Sequence, residues 1–395
     1  MKLKYLIYLF LITFSCDNKD GTLFIIDPRS IVKNQITLAD IGDEITYIPL
    51  DNKIPFTNFK YVITTTSIYV SAKGIGILKF DREGRLINRI GSQGRGPGEF
   101  IYGMEFAVDE RSGNVYILDP HKIKVYSANG IFLRDIPYDS YISSHAMAGG
   151  IEFYNSLLFL PDYIMEGNSK YNWIFLDTLG NLVSIKNNSV PEFYANVVKP
   201  GCIYKYDNKL FYFNYFNDTI FSISPDLQCK GEYLFAQGPH RWPRANINTN
   251  SFDQFSAQIS RLFLPYDMFE TEHFIVLRYA YLKNEAISFI NKKTKKTFIA
   301  SKNNKSNEDN EFSEAYLEND LDGGIPLKYL NYYNDKGEEY LTEIITPFDL
   351  KVYISSDEFK NSIPKYSEMK KDLKKFVASL KETDNPVLIL IKLKE

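Results

Sequence analysis

The chain has 395 residues with 46 Lys and Arg against 49 Asp and Glu, a formal net charge of −3, and 29 each of Tyr and Phe. A balance this close to neutral leaves no basic field for nucleic acid, whose binding rests on counterion release by clustered Lys and Arg. Three cysteines exclude a disulfide framework as the source of stability, and the chain is long enough to bury a large core without one.

At the N-terminus Lys2 and Lys4 form a short basic region, 5–14 is uncharged and mostly apolar, and the small Ser15 stands immediately before Cys16. Residues 1–15 therefore read as a signal peptide. The apolar run is about half the ~20 residues a spanning helix needs, and Asp17, Asn18, Lys19 and Asp20 follow it directly. The stretch resembles a bacterial lipoprotein signal, and its acidic residues after the cysteine are similar to the surface-export signal of Bacteroidetes lipoproteins. The resemblance implies lipidation of Cys16 and a protein anchored to the outer membrane, at the cell surface or facing the periplasm. An ordinary cleaved signal with an incidental Cys16 is the plainer alternative. Loss of Lys2 and Lys4 leaves a mature charge of −5, and residues 16–35 read as a tether.

From residue 36 onward, aromatic and β-branched residues set the pattern of half-buried strands. A unit of strand, short polar turn and strand recurs around turns at 81–84, 127–130, 177–180, 224–228 and 291–296. The spacing of about 45 to 50 residues, longer before the fifth copy, fits one four-stranded propeller blade per unit. Each unit also has an earlier pair of strands, as at 113–118 and 209–213, and a sixth unit runs from 311 to 353. Radial stacking covers faces that a lone four-stranded unit leaves bare. The expected fold is all-β, a six-bladed β-propeller of four-stranded blades over 36–395. Tyr366, Met369, Leu373, Phe376, Val377 and Leu380 predict one amphipathic helix over about 365–382. Residues 387–393 read as a buried closing strand sharing a sheet with an N-terminal strand.

Gly91-Ser92-Gln93-Gly94-Arg95-Gly96-Pro97-Gly98-Glu99-Phe100 is the sharpest local signature. With the strands that follow it, the run resembles an NHL-type propeller repeat, its glycines suited to a tight connection between blades. Neither a lysine-serine pair nor a helix follows, so the glycines do not cradle phosphate. Together with Leu38-Ala39-Asp40-Ile41, Asn319 to Gly324 and Asp384-Asn385-Pro386, the loop resembles the six-bladed propeller lipoproteins of Bacteroidetes. That resemblance implies a surface or periplasmic protein that binds ligands or partners.

Some NHL propellers are enzymes that hold a metal with channel histidines, but His121, His145, His240 and His273 show no paired spacing. No metal or cofactor is expected. Asp320 and Asp322 lack the later carboxylate of a calcium loop and read as a turn capped by its own aspartates. No Gly-x-Ser-x-Gly elbow is present. The candidate binding residues are His240, Arg241, Trp242 and Arg244: the indole offers a flat face to a sugar or aromatic ring, and the arginines suit a carboxylate. Alternatively, Trp242 plugs a gap between blades. Cys202 and Cys229 fall on the first and fourth strands of one unit, roughly 14 Å apart by strand spacing, and are expected as free thiols. The function expected is binding of a glycan or peptide on one face or in the channel. The alternatives are a scaffold in an outer-membrane complex and, last, a metal-dependent lyase or hydrolase.

Overall fold

The computed structural model describes residues 23–30, 34–57, 59–141, 148–162, 170–189, 201–243, 245, 252–300 and 314–395. Their strands form six sheets, each built on four antiparallel strands and two of them extended by a fifth, parallel strand, arranged as a six-bladed β-propeller. Blade I is Phe59–Ile63, Ile68–Ala72, Gly76–Phe80 and Leu86–Ile90, and blade II is Phe106–Val108, Val115–Asp119, Lys122–Tyr126 and Phe132–Pro137. Blade III is Glu152–Tyr154, Leu157–Pro161, Tyr171–Asp177 and Leu182–Asn187, and blade IV is Gly201–Tyr206, Lys209–Asn214, Thr219–Ile223 and Cys229–Phe235. Blade V is Leu264–Glu270, Phe274–Tyr281, Asn284–Asn291 and Thr297–Ala300. First strands of neighbouring blades touch one another, so they line the axis and the fourth strands form the rim.

This radial order explains the sequence pattern. Second strands such as Ile68–Ala72 and Val115–Asp119 are buried at every position, because both their faces meet a neighbouring blade. Fourth strands such as Leu86–Ile90 alternate in exposure. The core is correspondingly divided into layers between blades. One joins Tyr116 and Leu118 to Leu158 and Leu160, and another joins Phe159 and Trp173 to Tyr212 and Phe221.

The repeated polar turns link third and fourth strands. Asp81 Oδ1 accepts the amides of Glu83 and Arg85, and Asp177 Oδ1 accepts those of Leu179 and Asn181. In blades I to IV the fourth residue of the turn has positive φ, as with 83° at Gly84 and 94° at Gly180. A Cβ on Gly84 would also lie 2.3 Å from the Pro49 carbonyl of the adjoining blade, so glycine there serves both the turn and the fit between blades. The Gly91–Phe100 loop does the same work between blades I and II. Gly91 has φ 62° against the rings of Phe100 and Tyr126, and Glu99 accepts the Gly96 amide at 2.8 Å.

The ring closes in blade VI, which is Asn331–Asp335, Glu338–Ile345, Val387–Leu393 and Gly42–Pro49. The C-terminal strand is the third of this sheet, and the N-terminal strand pairs outside it from Val387↔Pro49 to Leu393↔Gly42. The sixth unit departs from the expected run of strands, because Thr346 caps a helix at Pro347–Ser355 by accepting the Asp349 amide at 3.1 Å. A short helix at Asp357–Asn361 follows, and then the expected amphipathic helix at Ser367–Ser379, which buries Leu373 and Val377.

The family-like motifs are the staples of this closure. Asp320 accepts the Ala39 amide at 2.7 Å, and Asp322 accepts the Gly324 amide and the Tyr47 hydroxyl, each at 2.8 Å. Burial pushes the Asp322 carboxyl above its ordinary value. Asn385 donates to the carbonyls of Asp51 and Ile54 and accepts the Phe56 amide.

Two short segments, one within the expected tether and one across its end, also join sheets. Phe24–Ile26 adds a parallel fifth strand outside blade IV, and Asn34–Ile36 does so outside blade V. Cys202 and Cys229 lie on the first and fourth strands of blade IV, as read. Cys202 is a buried thiol outside any disulfide, as expected, and donates to Asp267 Oδ1 and the Met268 carbonyl. Cys229 is disulfide-bonded rather than free, which corrects the expectation of two free thiols.

Candidate functional site at the propeller axis

Each blade contributes a polar residue from its first strand, or immediately before it, near the axis: Lys60, Glu105, Glu152, Lys205, Asp267 and Asn331. They form pairs across blade boundaries. Lys60 Nζ lies 2.5 Å from Glu105, and Lys205 Nζ lies 2.9 Å from Glu152. The four side chains remain between 28% and 49% exposed, so solvent reaches them. Desolvation pulls the Lys60 ammonium down, but Glu105, with Glu152 and Asp267 beyond it, more than offsets this and holds its pKa above the ordinary value. Lys205 is likewise raised: desolvation opposes the charge, and Glu152 outweighs it. Both lysines are therefore cationic at neutral pH.

Neutral donors and acceptors complete the ring. Asn331 Nδ2 donates to the Tyr61 hydroxyl at 2.8 Å, and that hydroxyl stands 3.0 Å from Thr342 Oγ1. Burial raises the Tyr61 pKa, so the phenol keeps its proton. Between blades V and VI, Asp267, Arg278 and Lys328 border a narrow crevice. Behind it Glu343, 4% exposed, accepts the Lys328 amide at 2.9 Å. Burial pushes its carboxyl up to about 7. Exposed ion pairs of this kind add only ~0–1 kcal/mol to stability. These pairs therefore add little to stability and leave charged groups within reach of solvent at the axis.

The residues singled out in the sequence lie elsewhere. His240, Arg241 and Trp242 are 6%, 6% and 4% exposed, between blades IV and V. The indole packs against Tyr215, Phe216 and Phe255. Arg241 Nε is 2.9 Å from Asp218, its other nitrogens donate to the carbonyls of Phe263, Tyr215 and Asn217, and its guanidinium stacks on Phe235 and Phe263. These side chains are spent on packing. Desolvation, then the charge of Arg29, lowers the His240 pKa. Arg244, His145 and Cys16 lie outside the described residues.

His121 sits in a hairpin between second and third strands and His273 in one between first and second strands, so they occupy opposite faces. Among the described residues no group of three His, Cys, Asp or Glu side chains is placed to hold a metal ion. The axial ring itself was missed in the sequence. Its signal is a charged residue within or beside an otherwise apolar first strand, as in Phe59-Lys60-Tyr61-Val62-Ile63.

Fold and axis together define a six-bladed β-propeller with charged and polar side chains along its axis. The model of a family described as "Domain of unknown function (DUF4934)" matches residues 23–392, and the chain belongs to that family. No curated protein matches the sequence. Among solved structures, the chain is similar to a protein from Bacteroides fragilis NCTC 9343 whose name calls it exported. Identity is 17%, TM-score 0.65, and the match covers 94% of this chain and 100% of that one. It also matches a member of the DUF4221 family from Bacteroides vulgatus ATCC 8482 at 11% identity and TM-score 0.48, over 89% of this chain and 97% of that one. At these identities the likeness is one of fold.

Proposed function

We propose that this protein is an extracytoplasmic propeller, held to the outer membrane by lipid on Cys16, that binds a glycan or peptide at its axis. The observation that carries the binding reading is the solvent-reachable ring from Lys60 to Asn331, which offers cations, carboxylates and neutral donors in one enclosure. The basic-apolar-small layout before Cys16 supports export, as does likeness to an exported Bacteroides protein. Kinship with NHL-like lipoprotein propellers belongs to the same proposal. A ligand with both hydroxyl or amide donors and acceptors suits paired charges better than a purely anionic or cationic one.

The test is a glycan and peptide library screened against the mature protein and its Lys60→Met/Lys205→Met and Glu152→Gln variants. Binding should disappear in the variants while the melting temperature stays close to wild type. Binding that survives all three substitutions would move the site away from the axis. A second reading, a scaffold, is favoured by one observation: Ile87, Phe132, Leu133 and Val183 expose 53%, 38%, 45% and 39% of their area on the fourth strands of blades I to III. Co-purification of a membrane protein without binding of any library ligand would support it.

A further inference from the structure

In an antiparallel meander, hairpins joining first to second and third to fourth strands all project from one face. Phe24–Ile26 runs parallel to Cys229–Phe235, a fourth strand, so the chain preceding Phe24 leaves from this same face. A side-chain contact agrees, because the Lys295 ammonium of the blade V hairpin lies 4.9 Å from the centre of the Phe24 ring. That hairpin holds Lys292, Lys293, Lys295 and Lys296 around Thr294. Its shape is fixed, since Asn291 Oδ1 accepts the amides of Lys293 and Thr294 at 3.1 and 2.8 Å. Lys292 turns inward, 2.8 Å from Glu270 and 3.5 Å over the Tyr206 ring, while Lys293, Lys295 and Lys296 are exposed.

Beside the hairpin, a cleft of about 450 Å³ opens between blades V and VI, with Phe274, Phe289, Phe298 and Leu393 in its lining. Two of the carboxylates at its edge have donors, and a third, Glu395, lies beside Lys394. Asp40 accepts the Thr37 amide at 2.9 Å, and Glu339 accepts the Glu272 amide and the Tyr332 hydroxyl. The three exposed hairpin lysines thus stand next to an apolar recess.

We infer that this face docks on an anionic lipid surface, with Lys293, Lys295 and Lys296 against headgroup phosphates and the apolar cleft next to them. The membrane as partner rests on the proposed anchor at Cys16. The choice of face rests on the strand direction and the lysines. Phe24 lies only eight residue steps after Cys16. Fully extended they reach ~28 Å, so an anchored chain keeps this face near the headgroups. Lysines near an anionic surface each strengthen binding about fivefold, so the three together are worth on the order of 100-fold, less at high salt.

The experiment sediments the mature chain carrying Cys16→Ala, which no acyl chain can hold, with vesicles of phosphatidylcholine alone or mixed with phosphatidylglycerol. Binding is expected to the mixed vesicles only and to weaken with salt. Lys293→Gln/Lys295→Gln/Lys296→Gln should lower it by on the order of 100-fold. Lys371→Gln/Lys375→Gln, on exposed positions of the Ser367–Ser379 helix, should leave it unchanged. Equal binding to both vesicles overturns the inference, as does a hairpin variant no weaker than the helix variant. Fractionation of the wild-type and Cys16→Ala proteins from cells reports on the anchor separately. An anchor elsewhere would sink the Cys16 reading and leave the vesicle result standing.

Discussion

Removing residues 385–395 takes the third strand out of blade VI and leaves Glu338–Ile345 and Gly42–Pro49 facing an empty slot. Val387, Leu388, Ile389, Leu390 and Ile391 are between 0% and 8% exposed. At ~1.5–3 kcal/mol for each buried side chain, their loss amounts to about 8–15 kcal/mol, comparable to the ~5–15 kcal/mol that holds a domain together. Two unpaired edges and the missing Asn385 clips add to it. The shortened chain should therefore aggregate or fail to fold, whereas one starting at Thr22 should be soluble and melt cooperatively. Single substitutions grade the same effect: Ile389→Val should cost about 1 kcal/mol and Ile389→Ala ~2–5 kcal/mol. Size-exclusion chromatography and thermal unfolding followed by circular dichroism decide the matter. A chain ending at Asp384 that melts cooperatively near the full-length temperature would refute the closed ring.

Changing Cys16 to Ala should move the protein from the membrane to the soluble fraction without unfolding it, as cell fractionation with a thermal melt would show. Arg241→Leu should cost about 3–5 kcal/mol in chemical denaturation, because it strips the buried Asp218 carboxylate of that cation, while ligand binding at the axis should survive in the folded fraction. Glu343 supplies a pH dependence. Its folded pKa of about 7 is raised by burial, so the protonated form favours the fold, and that stability is full below the ordinary glutamate value and lost as pH rises through about 7. Urea unfolding at pH 5 and pH 8 should show a fall of at most about 3 kcal/mol that Glu343→Gln flattens, and an equal slope in both proteins would refute this assignment.

Blade number, the amphipathic helix and the shared closing sheet were legible because each leaves a periodic or unbroken apolar pattern, as in Val387-Leu388-Ile389-Leu390-Ile391. The fifth strands outside blades IV and V were not, since Phe24–Ile26 and Asn34–Ile36 are three residues long and owe their conformation to an edge formed far along the chain. The helix at Pro347–Ser355 was hidden within a unit expected to be all strand, although Thr346, Pro347 and Asp349 carry the cap signal. Rare residues drew the sequence reading to the boundary between blades IV and V. Trp242 and its flanking Arg241 attract attention in the sequence, yet packing between blades uses both. The axial ring uses common residues scattered from Lys60 to Asn331, and only the closed geometry brings them together. The sharp motifs at Asn319–Gly324 and Asp384–Pro386 serve closure instead of chemistry.

The two strands donated to blades IV and V have a mechanical consequence for a protein pulled from its N-terminus. Each is a ladder of three residue pairs, Phe24 to Ile26 and then Asn34 to Ile36, and both precede Gly42–Pro49 in the chain. Tension applied ahead of Phe24 must strip these short ladders in turn before it loads the strand that closes the ring. Each release lengthens the leash by several residues while the six blades stay shut. A fluctuation at the point of attachment is thus absorbed at the rim, and the longer register from Val387↔Pro49 to Leu393↔Gly42 bears force only when both ladders have yielded.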